Sequence, residues 1–332
     1  MAEALAAATG VRTTTSPNPW VGAVLVPADD SPVVIGATSP PGGPHAEATI
    51  LELAGTSARG ATVYVTLEPC SHHGRTPPCA DALIAAGVSR VVVALEDPDH
   101  RVAGAGLQRL RAAGILTTLG VGAEEAAEQL AAYLHHRRHG RPLVVLKLAA
   151  TLDGRIAAPD RTSQWITGPE ARLDAHRLRS ESDAIAVGAG TVRSDDPALT
   201  VRGVSGRAPL RVVLGTVPVG ARVAPAIEHR GPLPGLLDHL GAKGVLQLLV
   251  EGGAGVAHQF HRAALVDRYV LYLAPALLGG DDGVPMFAGP GAATMADIWR
   301  GTITGVERLG ADVRLDLRPA FPLEERTRSA LP

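Results

Sequence analysis

The sequence predicts an α/β chain of two domains, on three observations. Short β-branched runs alternate with Ala- and Leu-rich stretches of helical length. At His139-Gly140-Arg141-Pro142 a helix must end, and the alternation then restarts at once. The chain has 332 residues, 46% of them hydrophobic, which is enough for two ordinary cores. The boundary is therefore expected at 140–142, giving domains 1–140 and 141–332. No repeat relates the halves, so two different folds are expected rather than a duplication.

The elements follow in order. "MAEALAAATG" reads as a short surface helix closed by Gly10. "VGAVLV" (21–26) and "VVIGAT" (33–38) flank the turn "PADDSP" and read as a hairpin. A helix begins at His45, with Pro44 suited to its first turn. Strand 62–67, a helix from about Cys79 and strand 90–95 come next. Helix 106–114, strand 115–121 and one long helix over 124–140 complete the half. In the second half, strands are expected at 143–150, 183–189, 210–215, 245–250 and 267–275, with a helix over 254–265. The stretch 215–235 is rich in Pro and Gly.

Composition narrows the function. A net charge of −2 provides no basic stripe for nucleic acid, and 3% aromatics leave few platforms for stacked bases. No apolar run reaches the roughly 20 residues that span a bilayer. The first ten residues lack a basic signal-peptide region, so a cytoplasmic protein is expected. Two cysteines in a chain of this length make no disulfide framework.

Those two cysteines lie in "TLEPCSHHGRTPPC" (66–79), each after a proline, with eight residues between them. "PHAEA" (44–48) adds His45 and Glu47. His45, Cys70 and Cys79 offer one imidazole and two thiolates, a donor set that suits zinc. Three protein ligands leave a fourth position for water, whose pKa zinc brings to about 7. Glu47, two residues from His45, could handle that water's proton. The pattern is that of zinc deaminases of nucleobases, with a longer cysteine spacer. His72, His73 and Arg75 in the spacer suit a phosphorylated substrate. The alternatives are a disulfide, inert buried thiols, or a closed structural site using His72 or His73. His135, His136 and His139 with Arg137 and Arg138 read as a solvated helix end.

The second half is less specific. "LLVEGGAGVAH" (248–258) is a strand, a glycine loop and a helix. Backbone N–H groups around Gly252, Gly253 and Gly255 could cradle a phosphate. As a dinucleotide fingerprint it is poor, because His258 stands at the third glycine position; a plain tight turn is an equal reading. "SDDPALT" (194–200) reads as an ordinary turn, and Trp165 alone as a packing residue.

Longer stretches carry a resemblance. "PHAEATILELAG", "GATVYVTLEPCSHHGRTPPCADALIAAGV", "LKLAATLDGRIA", "SQWITGPEAR" and "VGAGTVRSDDPALTVR" resemble the bifunctional bacterial deaminase/reductase of riboflavin biosynthesis. The resemblance covers nearly the whole chain, deaminase first, and the eight-residue cysteine spacer is the family's own. It implies a cytidine-deaminase-like three-layer domain followed by a dihydrofolate-reductase-like domain. It also implies two steps. The first is zinc-dependent deamination of 2,5-diamino-6-ribosylamino-pyrimidinone 5′-phosphate; the second is NADPH-dependent reduction of the ribosyl group to ribityl.

By the same resemblance, His45, Cys70 and Cys79 hold zinc and Glu47 shuttles protons. Ala149, Trp165, Thr191 and Asp195 match NADPH contacts, with the glycine loop beside them. Lys147, Ser163, Arg179, Leu199, Arg202 and Glu251 match substrate positions in the reductase, and Asn18 does so in the deaminase. Arg179 and Arg202 make physical sense, since guanidinium forks suit phosphate. The only partner implied besides the substrate is a further copy of the chain, as a dimer or tetramer.

Three departures stand out. The family's loop HPNPNVGC is "SPNPWVGA" here, with Ser16, Trp20 and Ala23, and an altered fit of the deaminase substrate is expected. The segment between "RVVLG" and "LLVEGG" is short, and no strand is expected at 222–236. "EGGAGVA" lacks the usual proline, which is expected to be harmless. The short segment leaves one further reading open, a zinc deaminase with an impaired or inert reductase-like domain. A nucleic-acid or nucleoside deaminase, disfavoured by net charge and by the second domain, and a zinc-stabilised nucleotide-binding module without catalysis are the others.

Overall fold

A computed structural model describes residues 1–72 and 77–320. The chain divides between Gly140 and Arg141 into two units.

The first unit contains α1 (Ala2–Val11), β1 (Gly22–Val26), β2 (Val34–Ala37), α2 (Ala46–Ala54), β3 (Thr62–Val65), α3 (Cys79–Ala86) and β4 (Arg90–Val93). It continues through α4 (Ala105–Ala112), β5 (Leu116–Leu119), α5 (Ala123–Gln129) and α6 (Ala131–His139). The sheet order is β2-β1-β3-β4-β5. The β1–β2 hairpin and the β1–β3 pair are antiparallel, while β3, β4 and β5 run parallel.

Helices cover both faces, and two close approaches show how. A Cβ on Gly22 would lie 1.8 Å from the carbonyl oxygen of Ala4 in α1, so only glycine lets that helix settle on β1. Gly36 pairs with Ala23, the next residue along, whose side chain points the other way. A Cβ on Gly36 would meet Ile50 of α2 at 2.9 Å, so α1 and α2 lie on opposite faces. Val63, Val65, Val91, Val92 and Val93 are buried between the layers, as parallel strands covered on both sides should be.

The second unit contains β6 (Leu143–Thr151), β7 (Arg155–Ala157), α7 (Pro169–Ser180), β8 (Ala184–Gly188), α8 (Ala189–Asp195), β9 (Leu210–Leu214) and β10 (Ile227–His229). Then come α9 (Leu233–Ala242), β11 (Gln247–Val250), α10 (Ala254–Arg262), β12 (Arg268–Ala274), β13 (Val284–Pro285), β14 (Gly301–Leu309) and β15 (Asp312–Pro319). The main sheet runs β10-β9-β8-β11-β6-β12-β15-β14; the first six are parallel, and β15 and β14 continue it antiparallel. Alternate residues of β6 feed two cores. Val144, Leu146 and Leu148 pack with Leu236 of α9 and Phe260 of α10, and Val145 packs with Leu178 of α7.

Four expectations need correction. Gly10 does not close α1, which continues to Val11. The long helix expected over 124–140 breaks at Leu130 into α5 and α6. Pro44 lies outside α2, whose N-cap is His45. At 222–236 a strand does form: β10, three residues long, pairs with β9, and α9 follows directly from Pro232. Two of the prolines that suggested a broken stretch, Pro232 and Pro234, sit at a helix start, where a missing N–H costs nothing. Among the described residues no helix is long and apolar enough to cross a membrane.

Candidate active sites

In the first unit, two helix starts and one loop meet. His45 is the N-cap of α2 in extended conformation, so its ring leaves the helix axis, and Glu47 follows in the first turn. Cys79 opens α3, and Cys70 sits in the loop after β3. The His45 Nδ1 lies 3.3 Å from Cys79 Sγ and 3.7 Å from Cys70 Sγ. The Cys79 backbone N–H donates to Cys70 Sγ at 3.3 Å. All three ligand atoms fall within 4.8 Å of one another. Ligand atoms around a tetrahedral zinc ion lie about 3.3–3.8 Å apart, so this donor set fits the ion. Both cysteines are free thiols, which removes the disulfide alternative. His72 is not part of the three-residue group, so a closed four-ligand site is not assembled among the described residues.

The electrostatics are those of a crowded, buried cluster. The hydrogen bond with Cys79 holds the Cys70 thiol down, to about 4, while the same bond and burial push Cys79 up. Its hydrogen bond with Cys70 raises His45 against the effect of burial. Burial, then the charge of Cys70, pushes the Glu47 carboxyl up to about 7.

Above the cluster is a cavity of about 410 Å³, lined in part by His45, Glu47, Cys70, Asn18 and His72. Of the loop 16–23, Pro17, Asn18, Pro19 and Val21 face it, whereas Ser16, Trp20 and Ala23 do not. Trp20 is buried the other way, with its Nε1 donating to the Gln129 carbonyl at 3.0 Å and Arg12 over its ring. The departure at Trp20 is therefore a packing change. His73 and Arg75 lie outside the described residues.

The far wall was not anticipated. Asp97, Asp99 and Arg101 line the cavity with Tyr133 and Arg137 of α6. The helix end that read as solvated is instead partly inward: Tyr133 and His136 are buried and Arg137 reaches the cavity. Glu68 holds this wall together, accepting the backbone N–H groups of Asp97, Gly104 and Leu107 at 3.0–3.2 Å. The signal for Glu68 was the "LEPC" motif itself, where a carboxylate precedes the ligand by two residues.

In the second unit the candidates gather at the carboxyl ends of the parallel strands, where open α/β sheets bind ligands. Lys147 and Ala149 project from one face of β6. Glu251 follows β11 and accepts both Nε and Nη2 of Arg179, at 2.6 and 2.9 Å. Lys147 Nζ lies 3.7 Å from the same carboxylate. Burial alone would raise Glu251, but the two cations outweigh it and hold the carboxyl at about 2. Arg179 also donates to the Thr200 carbonyl at 3.1 Å, next to buried Leu199, which takes positive φ.

The glycine loop meets α8. A Cβ on Gly253 would lie 3.3 Å from Thr191 Oγ1, and one on Gly252 would strike Val256 at 2.5 Å, whereas Gly255 faces open space. Gly253 is the N-cap of α10, so the first-turn N–H groups are turned to the loop, a setting that suits the phosphates of a dinucleotide such as NADPH. Asp195 is the exposed last residue of α8, rather than part of a free turn. Trp165 is 69% exposed with the Arg172 guanidinium 4.5 Å from its ring, so it is not a packing residue. Ser163 is half-buried in the loop before α7, and Arg202 is exposed. His176 on α7 was not anticipated; burial, then Arg179 and Arg202, lowers its pKa.

Comparison with known proteins adds independent findings. Residues 1–95 match the family model of the cytidine and deoxycytidylate deaminase zinc-binding region, and residues 142–315 match that of the RibD C-terminal domain. The riboflavin biosynthesis protein RibD of Escherichia coli K12 is 41% identical over 96% of this chain and 98% of its own. RibD of Mycobacterium tuberculosis is 44% identical over 92% and 93%. Among solved structures, Acinetobacter baumannii RibD is similar with a TM-score of 0.90 and 37% identity, covering 96% of this chain and 98% of that one. A Thermotoga maritima diaminohydroxyphosphoribosylaminopyrimidine deaminase/5-amino-6-(5-phosphoribosylamino)uracil reductase gives 0.88 and 32%, over 96% and 97%.

Proposed function

The chain belongs to the bifunctional deaminase/reductase family of riboflavin biosynthesis, and from that premise we propose how its residues divide the two reactions. The first unit deaminates 2,5-diamino-6-ribosylamino-pyrimidinone 5′-phosphate, and the second reduces the ribosyl side chain of the product to ribityl. The observation that supports this most is the clustering of His45, Cys70 and Cys79 beside a cavity that buried Glu47 lines, on a chain whose other half matches the RibD C-terminal domain.

His45, Cys70 and Cys79 are the zinc ligands in this reading. Zinc bound there would supply a Lewis acid that lowers the pKa of water. Glu47 takes a proton from the attacking water and returns it to the departing amine. Its burial keeps bulk water from competing for that proton. Asn18 orients the pyrimidine from the loop across the cavity.

In the second unit NADPH would supply the reducing equivalents. Gly252, Gly253 and Gly255 with Thr191 hold its phosphates and ribose, and Ala149, Trp165 and Asp195 complete that side. Arg179 and Arg202 meet the substrate phosphate, with Ser163 and Leu199 beside them. Glu251 holds Lys147 and Arg179 in place through its ion pairs with both. The reaction proceeds in the cytoplasm on a soluble substrate, and the chain assembles with copies of itself. The exposed edge strand β14, carrying Ile303 and Val306 outward, supports that assembly.

The test is to follow ammonia release and NADPH consumption separately with zinc-loaded protein and the diamino substrate. Both signals are expected, ammonia first. Ammonia without NADPH consumption would remove the reductase assignment, and neither signal would remove the substrate.

A further inference from the structure

The far wall of the zinc-site cavity is unusually polar for a buried surface. Asp97 and Asp99 are only 6% and 4% exposed, and both line the cavity. Buried carboxylates cost stability, and a wall that served packing alone would do as well with apolar residues. Here instead each carboxylate is met from α6, a helix that begins outside the motifs of the site.

Tyr133 and Arg137 lie four residues apart and so share a helix face. The Tyr133 hydroxyl donates to Asp97, 3.2 Å from one carboxylate oxygen and 3.0 Å from the other. Arg137 stacks over the Tyr133 ring at 4.9 Å and brings its Nε within 3.4 Å of Asp99 Oδ2. Asp99 is held further by Arg101 at 2.9 and 2.6 Å, and its own N–H donates to Asp97 at 2.9 Å. Burial pushes the Asp97 carboxyl up, and Arg101, then Arg137, draws Asp99 down. Tyr133 itself stays a phenol, pushed up by burial and by Asp97, and so remains a donor.

We propose that Tyr133 and Arg137 are positioning residues for the deamination, fixing Asp97 and Asp99 as hydrogen-bond acceptors for the amino and hydroxyl donors of the substrate. The proposal rests on the deaminase reading of the first unit. It deepens that reading by placing substrate recognition under the control of α6, a helix that carries no metal ligand. Tyr133 and Arg137 act through the aspartates, so their loss weakens substrate binding while leaving the Glu47 chemistry intact.

The experiment uses the full chain, zinc-loaded, in Tyr133→Phe, Arg137→Gln and Arg137→Lys. Zinc per chain is measured, ammonia release gives KM and kcat, and NADPH consumption on the already deaminated product reports the second unit. Tyr133→Phe and Arg137→Gln are expected to raise KM for deamination about five-fold, the loss of one hydrogen bond or ion pair, with kcat little changed. Arg137→Lys recovers part of that, and zinc content and reduction stay at wild type. Adding Tyr133→Phe to Asp97→Asn is expected to cost no more than Asp97→Asn alone.

An unchanged KM in both variants would overturn the proposal, and so would losses that track zinc content or additive losses in the double variant. Zinc-loaded wild type that releases no ammonia sinks the deaminase reading, and the proposal with it. That outcome is separable because it precedes any variant.

Discussion

In the first unit the groups proposed to hold the metal come from two helix starts and one short loop, and their donor atoms lie within 4.8 Å of one another. In the second the candidate groups come from β6, α7, α8 and the loop after β11 into α10, spread along the sequence from Lys147 to Gly255. The first is built by backbone: an extended N-cap turns His45 out, and the first residue of α3 places Cys79. The second is built by charge, with Glu251 gathering Lys147 and Arg179 around itself. A metal site of this kind fails all at once when a donor is removed. A charge-organised site fails by degrees and depends on pH.

The sharpest way to break the comparison is at a zinc donor. Cys79→Ser is expected to lose the metal and to bring deamination below detection, while reduction of the deaminated product stays at wild type. Zinc analysis and the two separate assays decide it; retained zinc with full deamination would break the assignment.

The next effect is at the hub of the second unit. Glu251→Ala leaves two half-buried cations without their carboxylate, a loss bounded above by the roughly 3–5 kcal/mol that breaking a fully buried pair costs. Urea unfolding of the second unit reads this. The sign with pH follows from a depressed carboxyl. Glu251 contributes fully above its unfolded value, and that contribution is lost as pH falls toward its folded value of about 2. Wild type should therefore lose stability on acidification from roughly pH 5 downward, and Glu251→Ala should lose less over that range.

The smallest effect sharpens the glycine loop. Gly252→Ala would push a Cβ to 2.5 Å from Val256, whereas at Gly255 it meets nothing. Gly252→Ala is expected to lower the thermal midpoint of the zinc-loaded chain. Gly255→Ala, inside α10, should leave it unchanged or raise stability by up to about 1 kcal/mol.

The same contrast explains how much was legible in the sequence. His45, Glu47, Cys70 and Cys79 lie in two short motifs at helix starts, where residue type and spacing nearly determine geometry. Asp97, Tyr133 and Arg137 could not be read that way. They meet across 36 residues or more through a helix whose charged end looked like an ordinary solvated terminus. Lys147, Arg179 and Glu251 came from the resemblance, since nothing local marks a lysine in a strand as the partner of a glutamate over 100 residues later. Helix α9 was hidden by Pro232 and Pro234, which read as breakers but sit at its start, and β10 was hidden because it is only three residues long and lies just after Pro225. The β14–β15 hairpin escaped because β14 is exposed along nearly its whole length and shows no inward-facing alternation.

The most direct test of two chemistries on one chain is Glu47→Gln, assayed with each substrate in turn. With the diamino substrate, neither ammonia nor NADPH consumption is expected, since general acid–base catalysis contributes roughly 10²–10⁴-fold. With the deaminated product, NADPH consumption should equal that of wild type. Ammonia release at the wild-type rate, or loss of reduction on the deaminated product, would contradict the account.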